Sequence, residues 1–396
     1  MSYTTVNELM TAIADAIRNR KGTTEEISSQ DIPNEIDNLP IMISVPATTK
    51  TNGMKDGKSE GAFGGDGIAT LYFAKKIKIG SIKQTFGLLS DCTIDSSTFL
   101  NDVFSKIDYY DDKEKYSKVD YQSAGYAEMF ARAYITSVDF SKINNFHQAN
   151  FYHMFYNVQR LNSVTFPENF EILCLNNAFF YCSQLKNLDF SNVSFADIKD
   201  FSSAFGYSGI LNVPSPSVPS NKAESLYQIF YGCHGLTTIN FEFIKGSKPT
   251  TLYYAFDNCR NLTSIDFAAL DTTNVTSFQS ALDYCTKLEY IKNFSCDNYE
   301  GAKTTMAIFS SISTLKEFSW KSGHFPGMLG DQTFTFNISF FTNTDWFESF
   351  VNTIGTNTSG QTINIKIKSS VFKTLSKDNP AKVSELMNKG YNIAMG

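Results

Sequence analysis

The sequence has no CxxC pair, and its seven cysteines are an odd number spread over a chain of 396 residues. That pattern offers no zinc cage and no disulfide framework, so the cysteines read as buried thiols. Histidine is scarce, with only His147, His153, His234 and His324, and no HxxxH or HExxH pair is formed. Neither a GxxxxGK[ST] phosphate loop nor a GxSxG nucleophile elbow occurs. The expectation is therefore no catalytic residue, no cofactor and no metal. No cluster of Lys and Arg interleaves with aromatics, and the net charge is -6, so nothing supplies the positive field that nucleic acid demands. No stretch reaches the roughly 18 apolar residues of a membrane span, and the opening residues lack a basic segment followed by an apolar one. On this reading the chain is made in a cytoplasm and is not inserted in a membrane.

What the sequence has in abundance is Phe and Tyr, 35 and 20 against 2 Trp. A core filled by phenylalanine as much as by branched aliphatics follows. At the beginning, Val6, Leu9, Met10, Ile13 and Ile17 fall at helical spacing behind a Thr5/Glu8 capping box, with Gly22 as the stop. A second short helix is expected in "SSQDIPNEIDNLP", with Ile32, Ile36 and Leu39 on one side. Two helices this small cannot bury their stripes alone, so they call for other copies of the chain, another protein or the following domain. The stretch "LMTAIADAIRNRKGTTEEISSQDIPNEIDNL" resembles the N-terminal module of bacteriophage tail fibre and baseplate-attached proteins. That resemblance implies an attachment module over residues 1–40 that docks to other phage tail or baseplate proteins.

Thr49 to Gly67, "TKTNGMKDGKSEGAFGGDG", reads as a linker, and Ala69 to Lys83 as strands. The mixed-charge run "DYYDDKEK", Asp108 to Lys115, contains paired acids of the kind glycosidic hydrolysis uses, but a solvated loop is the plainer reading.

From Ala127 to Phe325 the sequence repeats. "HMFYNVQRLNSVTFP", "NAFFYCSQLKNLDFS", "QIFYGCHGLTTINFE" and "YAFDNCRNLTSIDFA" are versions of one pattern. An anchor residue recurs at Phe130, Phe155, Phe179, Phe205, Phe230, Phe256, Leu282 and Phe309, a period of roughly 25 residues. Six residues after most anchors stands a leucine, and three further on a Val, Leu, Ile or Phe, the L-x-x-L spacing of one short strand per coil. Ala133, Val158, Cys182, Ser208, Cys233, Cys259, Cys285 and Ile312 hold one column three residues after the anchor, which assigns Cys233 to packing rather than to chemistry with His234. In the fourth repeat "VPSPSVPS" is expected to interrupt the sheet or widen a loop. The motif in "AFFYCSQLKNLDFS" and "AFDNCRNLTSIDFAALDTTNVTSF" resembles BspA-like leucine-rich repeats.

After Gly327 the period fails. "QTFTFNISF" and "TINIKIK" alternate like strands, "NTDWFESFVNTIG" reads as a helix stopped by Gly355, and "NPAKVSELMNKGYNIA" as a helix from Asn379 and Pro380 to Gly390 followed by a strand. This ending also resembles the C-termini of phage-encoded leucine-rich repeat tail proteins. The expected fold class is α+β. A leucine-rich repeat solenoid of about eight coils spans 127–325, between a helical module over 1–40, a linker and β-containing cap over 41–126, and a β-α-β-α-β cap over 326–396.

Outward positions of the L-x-x-L strands offer Ser137, Asp139, Asn187, Asp189, Thr238, Asn240, Ser264 and Asp266 as a candidate binding surface, or as plain solvent-facing residues. A second candidate lies beside the anchors, at Tyr156, Phe180, Tyr181, Tyr207, Tyr231 and Tyr284, where tyrosines either meet a ligand or pack between coils. The two resemblances together imply a non-enzymatic tail protein located in the virion, presenting its repeats to a host cell-surface glycan or protein. The unsatisfied N-terminal stripes imply a homo-oligomer, a trimer for instance. A bacterial or prophage-encoded interaction protein working away from the virion is the alternative, and a polysaccharide depolymerase a more distant one.

Overall fold

The computed structural model describes residues 130–396, except 133–134, 143–145, 297–304, 307, 311 and 328–332, together with four short strands before them. Met42–Ser44 pairs antiparallel with Thr70–Tyr72, and Ile77–Ile79 parallel with Ile107–Tyr109. Asp108 and Tyr109, expected in a solvated loop, lie in the last of these strands, and the rest of that run, to Lys115, lies outside the described residues. The helices expected in 1–40 and the linker from Thr49 to Gly67 lie outside the described residues.

From Phe130 onward the chain returns upon itself once per repeat, and the anchors stack. All eight anchors are at most 2% exposed. Each of the first seven donates its N–H to the carbonyl of the residue before the next anchor: Phe130 to Met154 at 2.9 Å, Phe155 to Ala178 at 2.9 Å, Phe179 to Ala204 at 2.8 Å, and so on to Leu282 and Ile308 at 3.0 Å. The anchor N–H of each of these turns is thus satisfied by the neighbouring turn rather than by water.

The phenylalanine excess has its cause here. Rings of consecutive anchors lie parallel, with Phe130 and Phe155 at 5.3 Å, Phe155 and Phe179 at 5.4 Å, Phe179 and Phe205 at 5.7 Å, and Phe205 and Phe230 at 5.6 Å between centroids. A planar side chain at a strand-like spacing stacks without leaving a void. Beside this spine runs the cysteine column. Cys182, Cys233, Cys259 and Cys285 are fully buried, and each Sγ donates to the carbonyl of the preceding anchor, Phe155, Phe205, Phe230 and Phe256, at 2.9–3.2 Å.

The L-x-x-L positions form parallel ladders in register. Val138 faces Val164, and Ile239, Ile265, Ile291 and Phe318 follow one another across four strands. The ladder is absent between them: residues 185–188 and 210–213 form no strand, next to Pro214, Pro216 and Pro219. The stack continues there because the anchor turns still pair. Two further parallel ladders have no expected counterpart. One runs through Gln148–Asn150, Phe170–Cys174 and Val193–Ser194, and the other through single bridges at Asp200, Ser225, Thr251 and Ser277.

The stack ends on a parallel sheet of Thr305–Met306, Thr333–Asn337, Thr362–Ile367 and Tyr391–Met395. The helix Phe347–Thr353 covers the last L-x-x-L strand, placing Phe350 against Phe318 and Trp320. It also satisfies that strand's backbone: the N–H of Phe318 donates to Ser349 Oγ at 3.0 Å and that of Trp320 to Thr353 Oγ1 at 2.8 Å. A ladder edge is thereby closed by hydroxyls. The ending has one helix more than the expected β-α-β-α-β order. Ser369–Asp378 is helical and buries Val371 and Leu375 one turn apart. Asn379, with extended φ, and Pro380 then separate it from the helix Pro380–Asn388, because proline opens a helix but cannot continue one.

Candidate binding surface

Each coil rounds its anchor between two left-handed residues. Positive φ recurs two residues before the anchor, at His153, Asn177, Ser203, Gln228, Tyr254 and Ser280. It recurs again two residues after, at Asn157, Tyr181, Tyr207, Gly232, Asn258 and Tyr284. The reversal of hand turns the anchor inward and leaves four positions per coil on the other side of the turn, exposed to differing degrees, from Asp257 at 5% to Tyr284 at 55%. Two of these columns are left-handed; the others hold Tyr152, Asn176, Ser202, Tyr227, Tyr253 and Gln279, and Tyr156, Phe180, Gly206, Tyr231, Asp257 and Asp283.

The composition of this face is distinctive. From Tyr152 to Tyr284 its four columns contain tyrosine, asparagine, glutamine, serine and glycine, one Phe, one His, two Asp, and no Lys, Arg or Glu. Rigid amphipathic rings among small polar groups are the composition of recognition surfaces, giving contact area at low entropic cost. Arg132 marks one end, its guanidinium 6.0 Å from the Tyr156 ring. On the flank Arg260 spends its Nε on Asn258 Oδ1 at 2.7 Å.

The rings form a continuous chain. Tyr156 stacks on Phe180 at 5.6 Å, Phe180 meets Tyr207 edge-on at 5.9 Å, and Tyr207 meets Tyr231 edge-on at 5.0 Å. Tyr231 leads to Tyr254 at 6.2 Å, and Tyr227 stacks on Tyr253 at 5.7 Å. Glycine makes room for this order. A Cβ on Gly206 would stand 2.6 Å from the Phe180 ring, and one on Gly232 2.6 Å from the Tyr207 ring. Burial, and then the hydrogen bond with Tyr231, push the Tyr207 phenol well above its ordinary pKa.

Asp257 and Asp283 occupy equivalent places in consecutive coils. Asp257 is 5% exposed, and burial first, the Asp283 charge second, push its carboxyl up to about 6. No acid pair stands out from the repeat by sequence alone, yet the two share a signal, an Asp directly after the anchor in "FDNC" and "LDYC".

The expected site residues are divided between two faces. Tyr231 belongs to the tyrosine face, half-buried; the other eight lie along the L-x-x-L side. Ser137 and Ser264 are half-buried in strands, Thr238 is an exposed strand residue, and Asn187 is exposed outside any strand. Asp139, Asp189, Asn240 and Asp266 share a structural task. Each side-chain oxygen accepts the backbone N–H two residues on, from Ser141, Ser191, Glu242 and Ala268 at 2.8–3.2 Å. Such turns bend the chain out of the strand and explain an Asp or Asn there without a ligand. The same side carries lysines engaged locally, as Lys316 with Glu289 at 2.9 Å and Lys287 with Asn261 at 2.8 Å.

Cys233 is fully buried, and burial pushes its thiol up to about 12, while His234 is exposed in the next position. The thiolate a nucleophile requires is not formed at neutral pH. Among the described residues no group of three or more His, Cys, Asp or Glu is placed to hold a metal, and no helix is long and apolar enough to cross a membrane. Compared with known proteins, the chain matches no family model, no curated protein and no solved structure.

Proposed function

We propose that the chain is a non-enzymatic binding protein of a bacteriophage tail, fibre or baseplate-attached. On this reading residues 1–40 dock it to other tail proteins and the coils form a BspA-like leucine-rich repeat solenoid turned to the host surface. The resemblances of the N-terminal module, the repeats and the ending support the setting. The observation that carries the binding role is the tyrosine face. Tyr181, Tyr207 and Tyr284 occupy left-handed positions that Asn157, Gly232 and Asn258 hold at less cost. Strain of this kind, repeated at an exposed surface, points to use of the side chain.

The reading is tested on virions and on cells. Antibody raised against the chain should label tail structures in electron micrographs, and the purified full-length chain should compete with phage for adsorption. Unlabelled particles, or adsorption that an excess of the chain leaves unchanged, would sink it. New reducing ends released from host polysaccharide would replace a binding role with an enzymatic one.

A further inference from the structure

The tyrosine face has a low point. Asp257, 5% exposed, lies in the column between Tyr254 and Tyr284, while the flanking Tyr227 and Tyr284 rise to 37% and 55% exposure. Asp283 follows it one coil on, since Asn258 N–H donates to the Asp283 carbonyl at 2.8 Å. Among the described residues no lysine or arginine forms an ion pair with Asp257.

We propose that this end of the face, Tyr227, Tyr253, Tyr254, Asp257, Asp283 and Tyr284, binds an uncharged polysaccharide. The inference rests on the reading of the face as the binding surface. Sugar C–H groups are weakly positive and meet the negative face of a tyrosine ring, so rings at the rim seat the apolar faces of a pyranose. The Asp257 carboxylate between them accepts sugar hydroxyls, the groups an ionised Asp bonds best. Charge selects the class of glycan. The Asp257 carboxylate, with no Lys or Arg in the four columns from Tyr152 to Tyr284, repels phosphorylated or carboxylated polymers, and the Arg260 guanidinium donates to Asn258 Oδ1. A chain of sugars matches the geometry as well, because the coils repeat the same four positions along the stack axis.

The test uses the full-length chain against arrayed bacterial polysaccharides, neutral ones beside teichoic acid and hyaluronan. Signals are expected on neutral members alone, with at least a tenfold loss in Tyr284→Asn and in Asp257→Asn at unchanged or raised melting temperature. Binding only to the anionic polymers, silence across the array, or full binding by Tyr284→Asn would overturn the proposal. A second arm separates this failure from that of the broader reading. Bacteria to which the virions adsorb are treated with periodate or with protease before the chain is added. Adsorption lost to periodate supports a glycan. Adsorption lost only to protease overturns the glycan and leaves host recognition standing, and no adsorption to untreated cells removes both.

Discussion

Tyr181 and Tyr207 come from consecutive coils and stack with ring centroids 4.6 Å apart and planes 1° from parallel, both at positive φ. Each side chain sits where the backbone favours glycine or asparagine, and the pair recovers part of that cost by stacking. Tyr284, in the same column, forms no such stack with a described ring, and its own ring is 55% exposed. The column therefore contains one tyrosine pair supported by packing and one tyrosine that packing does not support.

Tyr284→Asn is expected to stabilise the fold. Asparagine tolerates the left-handed region that costs other residues about 1–2 kcal/mol, so a gain of about 0.5–1 kcal/mol is expected in chemical denaturation. Tyr181→Asn should come out near neutral, because the lost stack is worth about 0.5–1.5 kcal/mol and offsets the relief. Equal stabilisation by both substitutions would show that the ring stack contributes nothing.

Gly232→Ala is expected to destabilise by about 2–4 kcal/mol, the sum of a left-handed alanine and an overpacked ring. Its φ is +67° and its added Cβ would lie 2.6 Å from the Tyr207 ring. Combining it with Tyr207→Ala should recover the steric part and leave the backbone part. Melting curves of the two variants decide this, and no recovery in the double variant would mean that the glycine serves its φ alone.

The repeat was legible because buried positions recur at fixed spacing: the anchors, the leucines and the cysteine column all sit at the depth their periodicity implies. The tyrosine face was only half legible. Alternation in hydrophobicity marks a strand, but nothing in it marks a left-handed turn, and His153, Ser203 and Gln228 share no composition although they share a conformation. The outward Asp and Asn of the L-x-x-L side looked like a ligand mosaic because an Asx turn and a ligand-binding carboxylate draw on the same residue types. Ser369–Asp378 escaped notice since two buried apolar residues, Val371 and Leu375, are too few for a periodic signal. The ladder through Gln148, Phe170 and Val193 lies where the distance to the following anchor varies between coils, so no motif holds it in register.

Cys233→Ala is expected to leave binding intact and to cost about 1 kcal/mol or more, from lost packing and from the Sγ bond to the Phe205 carbonyl at 2.9 Å. Cys233→Ser should lose less than complete hydrogen-bond removal would imply, since Ser208 fills the same column one coil earlier. With its thiol pushed up to about 12 by burial, Cys233 should resist alkylation at pH 8 until the protein unfolds. Mass spectrometry of the labelled peptide reads this directly, and rapid labelling of the native chain would contradict the buried column.

Asp257 makes stability depend on pH with a definite sign. Its carboxyl titrates at about 6 in the folded chain, raised by burial and then by Asp283, against an ordinary value of about 3.9 when unfolded. Between these values the folded state holds a proton that the unfolded state has released, so stability falls as pH rises through the window and the full penalty is present above it. Asp257→Asn removes the titration. The variant is expected to be more stable than the parent by about 1 kcal/mol at pH 7.5, with the difference fading towards pH 4. Melting temperatures at the two pH values check the sign, and a difference independent of pH would mean that the carboxylate carries no burial penalty. A more stable variant with weaker ligand binding would show that the acid is kept at this position for what it contacts, against the interest of the fold.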